Sequence, residues 1–434
     1  MDTLILDDSV SRRPTEQLAV RWVPSEADVP EWLWSECFAP TLEGRWWYAA
    51  LERAGLDDQF EFLYGIVEDR GQPVGIVPVF LMDVPLDLVA PPLLARLLQG
   101  AGRLLARVRY QRTLFVGSPC AEEGKVGLVA GVSLGRVATA VQDALEALAK
   151  QRRAALIVWK DFPATDWSAL QEALVERREA FPLVSYPGTR LAFAGRQFDE
   201  YLEQLERRHR QKLKRRLRHS AAMGKLLVEV VQHPGPALLE QIFDLFWQCY
   251  EKGETKFERL NLEFFRQVAQ SDHAYFILLR DPARDERLVA FGLCFLLGRR
   301  AVDKFIGLDH AYDGDWYLYF RLWQASVEWA LGVGAREIQS GQTVYRPKLD
   351  LGLSLVPLMN VCKHRNRIFN RLLAALARRI TWATLDEDLA AEIKAHGELP
   401  GSSLAALSAL NPPANEESHP ALRAGGDYRG VRRP

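Results

Sequence analysis

Long apolar runs, paired cysteines and an excess of charge of one sign are all missing from this sequence of 434 residues. No run of about 18 uncharged apolar residues occurs, and prolines and arginines interrupt the nearest candidate, residues 86–108, so we do not expect it to span a bilayer. The 55 basic and 56 acidic residues give a net charge of −1. Any preference for nucleic acid or a membrane surface must therefore come from a local patch.

The five cysteines lie far apart, and no two of them form a CxxC pair. That pattern does not match a zinc site, and it fits a reducing compartment better than a disulfide-linked secreted domain. The first ten residues carry three aspartates and no basic residue, unlike a secretory signal peptide. We therefore expect a cytoplasmic protein.

Motifs for metals and dinucleotides are missing as well. Neither HExxH nor a comparable spacing of metal ligands occurs, so we predict no metal site. A glycine-rich dinucleotide fingerprint is also lacking, which counts against a Rossmann domain. We predict no tightly bound cofactor.

The order of strand-like and helix-like segments predicts a mixed α/β fold that is built twice. In the first half, a hairpin at 61–83 and a strand at 113–119 precede an amphipathic helix at 134–151 and a buried strand at 155–162. The second half begins with a long helix at 199–223. Three strands, a helix at 316–331 and a strand near Ile338 follow it. We interpret this repetition as a duplicated α/β unit.

Domain boundaries follow from this repetition. We expect a flexible arm at residues 1–20, an N-terminal domain at 21–195 and a C-terminal domain at 196–395. Residues 396–434 are rich in Pro, Ser, Ala and Gly from about residue 401 onwards, and we expect a disordered tail there.

Two basic segments stand out against the balanced total charge. Residues 93–109 contain leucines interspersed with arginines. This pattern is typical of a helix that lies on a membrane surface, and also of a helix that covers a sheet. The second segment places eight basic residues in twelve positions, namely Arg207, Arg208, Arg210, Lys212, Lys214, Arg215, Arg216 and Arg218. This segment is either a solvated helix face, whose positive charge Glu203 and Glu206 partly offset, or a site for a phosphate-rich ligand.

The stretch SGQTVYRPKLDLG, residues 340–352, contains the first candidate for catalysis. Gly341, Tyr345 and Lys348 occur there in a turn-like context after a helix and a short apolar run. A lysine beside a reacting carbonyl can offset developing negative charge, as an oxyanion clamp does. The alternative is a solvated loop lysine.

Transfer of a group to an amine also requires a proton acceptor. Asp303 and Asp309 are six residues apart on one predicted strand, which places both on the same face. We select Asp309 as the base because it closes an apolar strand; a turn-capping aspartate is the alternative. Tyr345 could donate to an oxyanion or protonate the leaving group.

Two segments, RRLRHSAAMGKLLVEV at residues 215–230 and the stretch at 340–352, resemble parts of Fem-type peptidoglycan aminoacyl transferases, whose fold belongs to the GNAT-like acyltransferases. In RRLRHSAAMGKLLVEV, Arg215, Arg218, Ser220 and Gly224 match the helix–strand junction that opens their second domain. The later segment matches their G-x3-Y-x2-K-x3-G pattern at Gly341, Tyr345, Lys348 and Gly352. The resemblance covers roughly residues 60–370 and implies two tandem GNAT-like domains.

The resemblance implies an N-acyltransferase that moves an acyl or aminoacyl group to an amine by direct transfer. It assigns the oxyanion role to Lys348 and phosphate binding to Arg215 and Arg218, to which we add Lys212, Arg208 and Gly341 as cofactor-binding candidates. Acyl-CoA is the expected donor. Aminoacyl-tRNA or a nucleotide-linked precursor is the alternative carrier.

Two departures from the family keep a second function open. The pyrophosphate loop of ordinary acetyltransferases should precede the helix at 316–331, yet the sequence there reads DHAYDGDW. A long coiled-coil insertion of the kind that some Fem-type enzymes use for tRNA is also missing. The alternative is a non-catalytic GNAT-like scaffold that holds an anionic partner through its basic helix.

Overall fold

A computed structural model of the protein describes residues 18–38, 42–85, 110–253, 258–312 and 314–410. The strands, β1 to β15 in chain order, are Leu18–Val23, Glu61–Asp69, Gln72–Pro85, Tyr110–Val116, Gly127–Leu128, Leu156–Pro163, Phe181–Val184, Gly188–Ala192, Leu227–Val231, Ala274–Asp281, Arg287–Leu297, Arg300–Leu308, Glu337–Gln339, Ser354–Val356 and Leu358–His364. The helices, α1 to α14, are Glu31–Phe38, Arg45–Arg53, Leu134–Gln151, Trp167–Leu170, Phe198–Gln204, Arg207–Met223, Pro236–Lys252, Leu262–Val268, Leu318–Gly332, Tyr345–Asp350, Arg367–Ala377, Trp382–Leu385, Glu387–His396 and Leu404–Leu410. Within these described ranges, every helix is too short or too polar to cross a bilayer.

The strands form two mixed sheets that share one internal plan. The first sheet has the order β1-β2-β3-β4-β6-β15-β7, with β5 beside β3, and the second has the order β9-β10-β11-β12-β13-β8-β14. In each sheet an antiparallel meander leads to one parallel pair, β4–β6 or β12–β13. A helix, α3 or α9, connects the two members of each pair. The predicted mixed α/β fold with a duplicated unit is confirmed.

The two sheets exchange strands. Residues 181–193 contain β7 in the first sheet and β8 in the second, where β8 lies between β13 and β14. In the same way, β14 belongs to the second sheet, whereas β15 lies between β6 and β7 of the first. The predicted domain boundary near residue 195 stays a prediction about folding units, but the sheets themselves are interlocked across it.

A shared apolar core joins the two halves. Trp47 of α2 contacts Phe264 of α8 and Phe295 of β11, with ring centroids 5.6 Å and 6.1 Å apart. All three side chains are buried in a cluster that draws on both sheets. The two halves therefore pack against each other through a shared apolar cluster.

Two expectations about helices are corrected. The helix predicted at 199–223 is divided into α5 and α6, because Leu205 adopts an extended conformation between them. The tail predicted to be disordered contains α14, whose Leu407 is fully buried in the core of the first half. The arm up to residue 17, the basic segment 93–109 and the tail from residue 411 lie outside the described residues.

Candidate active site

The candidate site lies where loops from the two parallel strand pairs meet. Glu122, in the loop after β4, forms an ion pair with Lys304 of β12. A Cβ atom placed on Gly341, just after β13, would lie 3.8 Å from Oε1 of the same glutamate. The carboxyl ends of parallel strands are where open α/β sheets bind ligands. The fold therefore brings charged groups from both halves to a place that suits a site.

Lys348 is buried next to these groups. It lies on α10, not in the loop that its sequence context indicates, because Pro347 is tolerated in the first turn of a helix. The side chain is only 8% exposed, and Nζ donates a hydrogen bond of 3.2 Å to the Gln342 carbonyl. Burial lowers the pKa of Lys348 to about 8, although Glu122 and Asp303 favour its charged form. The alternative of a solvated loop lysine does not fit this buried position.

Asp303 and Lys304 are consecutive residues of β12, and both contact groups of the site. Asp303 accepts a 3.1 Å hydrogen bond from Ser340 Oγ, and burial raises the pKa of its carboxyl. Burial also disfavours the charged form of Lys304, but Glu122 together with other nearby acidic groups, Glu43 among them, holds the pKa of Lys304 above its usual value. These interactions keep two cations, the half-buried Lys304 and the buried Lys348, beside the carboxylates of Asp303 and Glu122.

The two carboxylate oxygens of Glu122 differ in their contacts. Its Oε1 accepts from Lys304, and its backbone N–H donates to Glu43 Oε1 at 3.0 Å. Its Oε2 is buried and has no hydrogen-bond partner among the described residues. The side chain is 5% exposed. A buried carboxylate oxygen without a partner is unfavourable unless a ligand or water supplies the donor.

The basic helix α6 is attached to α10. Lys212 forms an ion pair with Asp350, the last residue of α10, and Arg346 lies 3.3 Å from the same carboxylate. Arg208, Arg215 and Arg218 are exposed. In the described part of the chain these three arginines make no ion pair with a carboxylate, and Arg218 Nε donates only to the backbone carbonyl of Lys214 at 3.3 Å. The helix therefore presents unneutralised charge close to the element that carries Lys348.

The structure places two of the predicted catalytic residues in structural roles. Tyr345 is fully buried, its hydroxyl donates to the Pro187 carbonyl at 2.9 Å, and burial raises its pKa. Asp309 accepts from the Ala311 backbone N–H at 2.9 Å and lies 2.6 Å from Arg287, which matches the turn-capping alternative. Neither contact belongs to the group around Lys348.

The strand geometry explains the misplacement of Asp309. A bulge opposite Leu293 and Cys294 inserts one extra residue in β12, so Leu293 pairs with Phe305 while Cys294 pairs with Asp303. A bulge shifts the alternation of side chains by one. The six-residue spacing therefore does not place Asp303 and Asp309 on one face.

Sequence reasoning missed Glu43, Glu122 and Lys304. The consecutive Asp303 and Lys304 in the otherwise apolar AVDKFIGL could have marked a bulge with a polar function. The two glutamates lie in loops and carry no comparable signal. Their proximity depends on how the two sheets pack.

A serine in the pattern GVSLG, residues 131–135, has the spacing of a hydrolase nucleophile elbow. Ser133 is exposed at the start of α3, and it makes no side-chain contact with a histidine in the part of the chain that the structure describes. The pattern thus lacks the partner that would activate its hydroxyl. Among the same residues, no group of three or more His, Cys, Asp or Glu side chains could hold a metal ion.

Comparison with known families gives one match over most of this region. The profile of the FemAB-like family, described as peptidoglycan biosynthesis/recognition, matches residues 126–376. The matched range includes β6, α6, β12 and α10. Among curated proteins, none matches significantly.

Solved structures with a similar fold include FemX. It shares 12% identity with this chain at a TM-score of 0.50, and the alignment covers 75% of this chain and 94% of FemX. A conserved protein of unknown function from Bacteroides thetaiotaomicron aligns at 12% identity and a TM-score of 0.49 over 80% of this chain and all of its own length (100%). A tandem GNAT protein from the clavulanic acid biosynthesis pathway aligns at 13% identity and 0.47, over 80% of this chain and 99% of its own. The likeness to FemX supports a Fem-type fold.

Proposed function

Because this chain belongs to the FemAB-like family, whose members act in peptidoglycan biosynthesis or recognition, we propose that it transfers an acyl or aminoacyl group from a phosphate-bearing carrier to an amine. The family and the Fem-type fold indicate an acyl- or aminoacyltransferase. Acyl-CoA and aminoacyl-tRNA are the two donors to distinguish. A nucleotide-linked peptidoglycan precursor is an acceptor that fits both the family and the basic helix.

The observation that carries this proposal is the buried position of Lys348 beside Glu122. A fixed cation in a site from which water is largely excluded stabilises developing negative charge far more than it does in water. Lys348 stays largely protonated at neutral pH because its pKa is lowered only to about 8. It can therefore offset the charge of a tetrahedral oxyanion.

Glu122 supplies the complementary function. Oε2 of Glu122 is buried without a partner, so it can accept a hydrogen bond and then a proton from the attacking amine. The amine nitrogen forms a bond to the carbonyl carbon, and the bond to the carrier sulfur or ribose oxygen breaks. The electron pair of that bond leaves with the carrier, and the departing sulfur or ribose oxygen takes up the proton that Glu122 removed from the amine. No covalent enzyme intermediate is needed.

The basic helix would hold the carrier or the precursor by its phosphates. Arginine binds phosphate through paired, charge-assisted hydrogen bonds, and exposed arginines without carboxylate partners are available for them. Arg215 and Arg218 meet that condition on α6. The ion pair between Lys212 and Asp350 fixes this helix relative to α10 and hence to Lys348.

A thermal-shift comparison tests the proposal. Acetyl-CoA, a charged tRNA and a nucleotide-linked sugar are added separately, because a ligand at a hundredfold its dissociation constant adds about 2.7 kcal/mol of stability. We expect a shift with at least one donor and formation of an N-acylated product when an amine acceptor is added. Stabilisation by heparin and other polyanions alone, with no product from any donor, would instead identify a non-catalytic scaffold.

A further inference from the structure

The outer side of α11 exposes an unusual set of large apolar side chains. Ile368 is 78% exposed, Phe369 54% and Leu372 52%. Three and four residues separate Leu372 from Phe369 and Ile368, so all three lie on one side of the helix. Contiguous exposed apolar groups of this kind mark interaction surfaces.

Arginines surround this apolar strip. Arg367, Arg371 and Arg378 recur at four- and seven-residue spacing along one flank, and Arg365 and Arg379 lie near the two ends. All of them are exposed, and none forms an ion pair with a carboxylate among the described residues. Residues 363–380 contain no Asp or Glu. The surface is therefore both apolar and strongly cationic.

The helix is held rigidly in this orientation. Asn366 caps its N-terminus by accepting from the backbone N–H groups of Ile368 and Phe369, at 2.9 Å and 3.2 Å. Asn370, on the opposite side, donates to the Glu179 carbonyl at 2.8 Å and accepts from the His364 backbone N–H at 2.8 Å. Ala377 is buried in the shared core. The exposed strip thus needs no conformational change to be available.

We propose that this face of α11, formed by Ile368, Phe369, Leu372 and the flanking arginines, docks the protein on an anionic lipid bilayer surface. Helices that lie in a membrane interface combine Phe or Leu on one side with Lys or Arg beside it. Anionic headgroups neutralise the arginines while the apolar side chains enter the acyl boundary. The helix lies on the bilayer and does not cross it.

Charge also argues against two other occupants. In a dimer with two-fold symmetry, the same arginines from both copies would meet across the interface and repel each other. The chain's own segment 93–109 carries Arg96, Arg103, Arg107 and Arg109 and no acidic residue, so its charge has the same sign. An anionic lipid surface is the occupant whose charge is complementary.

Vesicle sedimentation of the full chain tests this surface independently of catalysis. Vesicles of phosphatidylcholine mixed with phosphatidylglycerol should bind the protein, and vesicles of phosphatidylcholine alone should bind it at least tenfold less, about the effect expected of several arginines at an anionic surface. The triple variant Ile368→Ser, Phe369→Ser, Leu372→Ser should weaken binding about tenfold. The triple variant Arg367→Ser, Arg371→Ser, Arg378→Ser should also bind these vesicles about tenfold more weakly.

A matched control uses exposed valines elsewhere. Val228 and Val230 are 50% and 44% exposed on the edge strand β9. The double variant Val228→Ser, Val230→Ser should bind vesicles as the wild type does. Equal binding to both kinds of vesicle, or full binding by the apolar variant, would overturn the proposal. So would a dimer in solution that the apolar variant dissociates and that does not bind vesicles.

Discussion

At the scale of single residues, Glu122 and Lys348 bring opposite charges into a region where few side chains are exposed to water. The two groups come from loops and helices that are more than 200 residues apart in sequence. Each leaves one part of its bonding capacity open, since Glu122 Oε2 has no partner among the described residues and Lys348 donates only to a backbone carbonyl there. In the mechanism that we propose, the reacting carbonyl and the amine occupy those open positions.

Replacing Glu122 tests its role as proton acceptor. Glu122→Gln keeps the size of the side chain but removes its basicity, so we expect kcat to fall by about 100- to 10,000-fold, the usual range for general base catalysis. Steady-state kinetics with a saturating donor measure this fall. Glu123→Gln, in the same loop, should keep wild-type kcat. Equal losses in both variants would point to damage to the loop and not to a lost base.

Replacing Lys348 also has a consequence for stability. Because burial lowers the pKa of Lys348 from its usual value of 10.5 to about 8, charging it destabilises the fold by about 3 kcal/mol, at about 1.36 kcal/mol per pKa unit. The unfolded chain binds this proton more tightly, so the penalty is full below pH 8 and disappears as pH rises towards 10.5. Lys348→Met should therefore be more stable than the wild type at pH 7.

Denaturant unfolding at pH 7 and at pH 10.5 measures this difference. The advantage of Lys348→Met should shrink between the two pH values. Lys150→Met, which replaces an exposed lysine at the end of α3, is the control for removal of a lysine away from the site. If Lys348→Met were less stable than the wild type at both values, the neighbouring carboxylates would depend on the lysine more than its lowered pKa indicates.

At the scale of elements, the spacing within a short motif placed residues near Glu122 more accurately than strand periodicity did. The glycine–tyrosine–lysine spacing identified Lys348 and Gly341, both of which lie next to Glu122 in space. Periodicity failed in β12, because one bulge reverses the faces that alternate before and after it. Burial of Tyr345 was equally hidden, since a turn-like sequence does not show that the next helix packs against Pro187.

The basic helix α6 leads to a prediction about binding. Arg215→Ser together with Arg218→Ser should raise the dissociation constant of the phosphate-bearing substrate by about a hundredfold or more, because two lost charge-assisted hydrogen bonds at about 1.5–3 kcal/mol each sum to about 3 kcal/mol at least, and about 1.4 kcal/mol is tenfold. The affinity of this double variant should also fall less steeply with salt concentration than that of the wild type. Isothermal titration at two salt concentrations measures both effects. Arg299→Ser, which replaces an exposed arginine on another surface, is the control. An unchanged affinity in the double variant would show that α6 is not part of the binding site.

At the scale of the whole molecule, the duplicated order of strands and helices was visible in the sequence, but the exchange between sheets was not. Residues 181–192 look like one interrupted strand, and only the packed structure shows that Pro187 separates β7 in one sheet from β8 in the other. Long-range pairing of this kind depends on which strand edges are free after the rest has folded. No local sequence pattern shows which strand edges these are.

The exchange predicts that the chain cannot be divided near residue 195. A fragment of residues 1–195 lacks β15, the strand that connects β6 to β7, and a fragment of 196–434 lacks β8, which connects β13 to β14. We expect each fragment to be unfolded alone by circular dichroism and the two to copurify when coexpressed. The intact chain nicked at an inserted protease site near residue 195 should stay folded. Two independently folded fragments would show that the exchanged strands are dispensable.

The most direct measurement is the single-turnover rate of group transfer in Lys348→Ala, compared with Lys150→Ala as a folded control. If Lys348 stabilises the tetrahedral oxyanion, the rate should fall by about 100- to 1,000-fold, the effect of losing one oxyanion donor, while substrate affinity changes little. Lys150→Ala should react at the wild-type rate. A Lys348→Ala protein that remains folded and transfers the group as fast as the wild type would show that this lysine has no part in the chemistry.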